Sequence, residues 1–122
     1  MRASWGASRG NVDSSRELRE IVEAVRSSGQ PTMIFLEAEG GRTFVFGIGR
    51  GESVLTFWDP DGTSFHSLGD VTRKGHLQFV CRDQVDDFMA EMAVPERAAI
   101  AAAEEFLATG ERPCAVTWEP DW

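Results

Sequence analysis

PERAAIAAAEEFLATGERPCAVTWEPDW, residues 95–122, places an amphipathic helix, a glycine stop, a proline corner and a closing strand in one run. Pro95 suits a first helical position, where its missing N–H would have no partner anyway. Ala99, Ala103, Phe106 and Leu107 recur at helical spacing and form one apolar stripe. The alanines keep that stripe thin, so the helix axis can approach a sheet closely. Gly110 stands where a C-terminal cap belongs, and Pro113 prevents the helix from resuming. Cys114 to Trp118 then reads as a short last strand. The run supplies core and fold, and nothing in it has the make-up of a catalytic group.

Upstream, Ser14-Ser15-Arg16-Glu17 fits a capping box ahead of a first helix. Leu18, Ile21, Val22 and Val25 give that helix a single apolar face, and Ser27-Ser28-Gly29 ends it. Between the helices lie β-rich segments at 32–38, 43–49, 53–58, 63–68 and 76–81, parted by short turns such as Asp59-Pro60-Asp61-Gly62. Residues 84–92 have the propensity of a short helix. The alternation of Phe88, Ala90, Met92 and Val94 instead favours a sixth strand from about Gln84, turned at Arg82-Asp83. Connections this short exclude parallel crossovers. The expected fold is therefore α+β: a mainly antiparallel sheet of six or seven strands with both helices on one face. Residues 1–12, rich in Ser, Gly and Arg, read as a loose lead-in to a single domain over 13–122.

The chain has 122 residues, enough for one core, and 42% are hydrophobic, with 8 Phe and 4 Trp. No apolar run is long enough to cross a bilayer, and the N-terminus lacks the apolar segment of a signal peptide. A cytoplasmic location is expected. The 2 cysteines, Cys81 and Cys114, fall on predicted strands and read as buried, reduced thiols. The net charge of −8 is uneven: residues 1–50 carry 7 Lys/Arg and 6 Asp/Glu, residues 51–122 carry 5 and 14. So acidic a second half disfavours direct contact with nucleic acid and suits a basic partner, although solubility alone would also favour it.

No chemical constellation stands out. Gly47-Ile48-Gly49-Arg50-Gly51 has the composition of a phosphate loop, but a strand follows where the helix should be. His66, His76, Cys81 and Cys114 lack metal-ligand spacing, so neither metal nor cofactor is expected. No serine sits in a nucleophile elbow. Glu104 and Glu105, adjacent on the second helix, do not converge on one point and read as a solvated face. Acids mixed with aromatics are the more unusual feature: Trp58, Asp59 and Asp61; Asp83, Asp86 and Asp87; and the terminal Trp122. They read either as solvated turns and core tryptophans or as aromatic anchors in an acidic recognition surface.

Val94-Pro95, the alanine-rich helix, Glu105-Phe106-Leu107-Ala108-Thr109-Gly110-Glu111-Arg112-Pro113 and Val116-Thr117-Trp118 together resemble the immunity proteins of bacterial polymorphic toxin systems that guard against deaminase toxins. Leu55 to Asp59 and Ser67-Leu68-Gly69 resemble that family's central strands. The resemblance spans roughly residues 30–118 and departs at Phe79 to Asp83, where many members have aromatics and a glycine turn. It implies an α+β inhibitor, not an enzyme, whose partner is a cognate toxin, often a zinc-dependent deaminase acting on cytidine or nucleic acid. Phe106, Gly110, Pro113 and Trp118 are then motif positions that serve the fold. The acids and tryptophans named above are the expected contact residues. A small non-catalytic ligand-binding module or a secretion-accessory subunit is the alternative.

Overall fold

The computed structural model describes residues 1–121. In chain order the elements are β1 (Arg2–Trp5), β2 (Ser8–Asn11), α1 (Ser15–Ser28), β3 (Thr32–Glu37), β4 (Thr43–Ile48), β5 (Glu52–Ser53), β6 (Leu55–Trp58), β7 (Ser64–Ser67), β8 (His76–Cys81), β9 (Gln84–Met89), β10 (Val94–Pro95), α2 (Glu96–Thr109) and β11 (Trp118–Pro120). A single 3-10 turn, Ala90–Met92, follows β9. The main sheet runs β11-β7-β6-β4-β3-β1-β2, with the β8–β9 hairpin joined to β3, and β10 pairs with β5 separately. The α+β class with both helices on one face is as expected, and among the described residues all pairings but one are antiparallel.

The sheet has nine strands among the described residues, not six or seven. Residues 1–12 are not a loose lead-in: β1 and β2 form a hairpin, and β1 pairs with β3 from Arg2↔Glu37 to Trp5↔Ile34. The backbone ladder with β3 holds this polar segment, while Ala3 and Val12 supply its buried side chains. The closing strand begins at Trp118 rather than Cys114. Trp118 Nε1 donates to the Pro113 carbonyl at 2.7 Å, which folds residues 113–117 into a loop. The strand expected at 53–58 is interrupted at Val54. Hydroxyls stand in for the ladder there: Ser53 Oγ accepts from Gly47 N–H at 2.9 Å and Ser67 Oγ accepts from Leu55 N–H at 3.0 Å.

Strand alternation sends side chains to two separate cores. On one face Ile34, Leu36, Phe44, Phe46, Leu55 and Phe57 meet the stripe of α1 (Leu18, Ile21, Val22, Val25) and that of α2. The α2 stripe includes Ala102 as well as Ala99, Ala103 and Phe106, and Leu107 sits at its margin. On the other face Met33, Phe35, Val45 and Val54 lie under Leu77 and Phe79 of the β8–β9 hairpin. The domain is thus more than two layers, because the hairpin folds over the side that the helices leave open. Gly47 permits this: a Cβ there would meet the Phe79 ring at 2.4 Å.

Both helices end at a left-handed glycine, Gly29 (φ 74°) and Gly110 (φ 69°). Ser14 Oγ accepts from Glu17 N–H at 3.2 Å, and Glu17 Oε1 reaches back to Asp13 N–H at 3.0 Å. Glu96, at the start of α2, is buried. Its carboxylate takes two bonds from Arg26 of α1 (2.7 and 3.0 Å) and the N–H groups of Gly49 and Gly51, each at 3.2 Å. The glycine loop that resembled a phosphate cradle therefore holds an anion after all, a carboxylate of the same chain. Burial would raise the Glu96 carboxyl, but the Arg26 guanidinium and the two glycine N–H groups outweigh it and hold the carboxyl below its usual range.

Candidate partner-binding side

One edge of β3 serves two hairpins. Its C-terminal part pairs with β1, while its first residue pairs parallel with β8 at Thr32↔Val80, reinforced by Val80 N–H donating to Pro31 O at 2.7 Å. The hairpins diverge from there, leaving a cleft of about 370 Å³ lined by Arg2, Ser4, Arg9, Glu37, Arg82 and Asp83 among others.

The β8–β9 hairpin turns through Arg82 and Asp83, as the sequence suggested, and Arg82 has a left-handed φ of 63°. A non-glycine residue there costs about 1 kcal/mol or more. Its guanidinium lies 4.3 Å over the Phe35 ring, which helps to offset that cost. On the other side of Phe35 stands Trp58, ring centroids 6.0 Å apart. Trp58 is 39% exposed and faces away from the helices. Trp58, Phe35, Arg82 and the exposed Asp83 thus form a continuous path over the helix-free side.

The sequence-predicted contact residues divide. Asp86 is half-buried on the inner face of β9, bonded by Gln84 Nε2 at 2.9 Å, and Asp87 is exposed on the outer face. No ion pair among the described residues joins Asp83, Asp86 or Asp87 to a cation. Asp59 is not with them: it is bound to Arg42 (3.4 Å) and to the Thr63 hydroxyl, at the end of the sheet near Glu111. Asp61 occupies the turn tip, where the Thr63 N–H and hydroxyl hold its carboxyl below the usual range. Trp122 lies outside the described residues. Sequence reasoning missed Val85 and Met89, which β9 presents outward at 61% and 54% exposure. The alternation that identified β9 also puts them on its outer face.

Phe106, Gly110, Pro113 and Trp118 lie together on the helix side. Phe106 contacts Phe44 and Phe57 at ring separations of 5.7 and 5.9 Å, and Trp118 closes edge-on against the same two rings. Glu104 and Glu105 are not a bare solvated face: Glu104 binds Arg19 at 2.9 Å, and Glu105 accepts Cys114 N–H at 2.7 Å. Both cysteines are free. Cys114 is exposed in a loop rather than on a strand, and burial, with Asp86 beside it, pushes the half-buried Cys81 thiol up to about 11. His66 pairs with Asp121, which also takes a 2.6 Å bond from Ser64 and fastens β11 to β7. Among the described residues no group of three or more His, Cys, Asp or Glu is placed to hold a metal ion. No helix of the described residues is long and apolar enough to cross a membrane.

Exposed aromatic and aliphatic side chains beside uncompensated acids suit the recognition of another protein better than chemistry on a small molecule. The family model described as Immunity protein Imm1 matches residues 7–120, nearly the whole chain. The chain belongs to the Imm1 immunity protein family, and membership implies a toxin as its partner. The match takes in β2 and α1, which the resemblance had left out, and begins just after β1. Comparison with curated proteins gives no match.

Proposed function

We propose that this chain neutralises one cognate polymorphic toxin, a deaminase acting on nucleic acid or cytidine, by covering its active site from the helix-free side. A deaminase that handles nucleic acid needs a basic groove for the phosphates. An acidic protein surface competes for such a groove and speeds encounter. The observation that carries the reading is the acidic β8–β9 hairpin, whose Asp83, Asp86 and Asp87 have no cationic partner among the described residues, next to the half-exposed Trp58. The chain then acts as an inhibitor without turnover of its own, in the cytoplasm where the toxin would strike.

Co-expression with the toxin domain encoded beside it is the test, scored by survival and by a stoichiometric complex on purification. Survival with a complex supports the proposal; death without a complex removes it for that toxin. Loss of deaminase activity in the purified complex would support the target class, and a toxin with another chemistry would correct it. The cleft between the two hairpins, with Arg2, Arg9 and Arg82 in its wall, favours the second reading, a small-ligand module. An anionic molecule retained through purification would support that reading.

A further inference from the structure

Among the described residues, β2, β9 and β11 each end the main sheet with an unpaired edge. β11 is three residues long and contains Pro120, and β2 is four residues of Ser, Arg, Gly and Asn. β9 is six residues, QVDDFM, and among the described residues pairs with β8 alone. Ala90 N–H donates to Gly75 O at 2.9 Å, which fixes the parity of the hairpin. Residues 84, 86, 88 and 90 direct their backbone groups to β8, so Val85, Asp87 and Met89 direct theirs to the open edge. The same three residues present their side chains on the outer face, opposite Val80, Gln78 and His76. Backbone donors and acceptors, two exposed apolar side chains and a central carboxylate thus coincide on one edge.

We infer that the β9 edge takes up an extended segment of the toxin as an added antiparallel strand, with apolar residues opposite Val85 and Met89 and a Lys or Arg opposite Asp87. The inference rests on the toxin reading above. Main-chain bonds along Val85, Asp87 and Met89 supply affinity, and the alternating side chains supply selectivity. Charge decides the occupant. Two copies of this chain paired about Asp87 would set carboxylate against carboxylate, each chain carrying −8, whereas a basic strand neutralises Asp87 on the outer face and approaches Asp86 on the inner.

The test is amide hydrogen exchange at residue resolution, on the free chain and on its complex with the toxin domain encoded beside it. The amides of Val85, Asp87 and Met89 exchange rapidly in the free chain and slow at least 100-fold in the complex. Asp87→Pro removes an edge N–H but no bond to β8, so it leaves the fold intact and raises the dissociation rate about tenfold, more than Asp87→Ala does. A complex in which those three amides still exchange rapidly overturns the added strand and leaves toxin binding standing. Protection of the same amides in a toxin-free dimer overturns the choice of occupant. A mixture that forms no complex overturns the toxin reading and this inference with it.

Discussion

The two faces of the sheet are finished differently. On the helix side, Phe106, Trp118, Phe44 and Phe57 interlock ring against ring, and Glu96 ties α1, α2 and the glycine loop with four hydrogen bonds. On the hairpin side Leu77 and Phe79 cover Met33, Phe35, Val45 and Val54. Trp58, Val85 and Met89 face solvent there, and Asp83, Asp86 and Asp87 have no cation among the described residues. A surface optimised only for stability would not leave that combination exposed. The helix side is the part that has to hold, and the hairpin side is the part with free valences for a partner.

The contrast breaks most visibly at Phe106. It is fully buried between Phe44 and Phe57, so Phe106→Ala costs about 3–5 kcal/mol through lost burial and the cavity left behind. Urea melts will show this as a lower midpoint, while the folded fraction keeps its toxin affinity. A loss of affinity in fully folded protein would bring the helix side into the interface.

Glu96→Gln has a smaller effect, about 2 kcal/mol, because Arg26 binds one carboxylate oxygen and the Gly49 and Gly51 N–H groups the other, so the single amide oxygen can serve only one of the two sets. Its signature is in the pH dependence. The Glu96 carboxyl is held below its ordinary value of 4.5 in the fold. Its contribution is therefore complete above about pH 4.5 and is lost as pH falls through the lower, folded-state value. Stability measured from pH 6 to pH 3 will fall more steeply in the parent than in the Gln variant. Parallel curves would show that Glu96 is not the group responsible.

The helix side was largely legible in the sequence, because its determinants are local. The capping box at Ser14–Glu17, the two apolar stripes, and Gly29 and Gly110 each act within one or two turns. The hairpin side was less so, because its determinants are long-range. The run Met33-Ile34-Phe35-Leu36 is continuously apolar because both faces of β3 are buried, a pattern readable as two-sided burial but not as burial beneath residues 77–79. The first hairpin escaped notice because its strands form through backbone pairing to β3, with only Ala3 and Val12 to mark a buried side. Among the proposed contact residues, acidity was visible in the composition, but its distribution was not. Asp59 and Asp61 are engaged by Arg42 and Thr63, whereas Asp83 and Asp87 lie exposed on the hairpin, and only pairing and parity separate the two sets.

The most direct measurement compares two double charge reversals that change net charge equally, by their association rate constants with the toxin domain over a range of ionic strength. One is Asp83→Lys with Asp87→Lys on the hairpin. The other is Glu20→Lys with Glu23→Lys on α1, where both side chains are more than half exposed. Each pair should shift folding stability by less than about 1 kcal/mol. The hairpin pair is predicted to slow association at least tenfold at low salt and to flatten its salt dependence, while the α1 pair leaves both near the parent values. Equal slowing by the two pairs, or a larger effect from α1, would contradict the assignment of the hairpin side to the toxin.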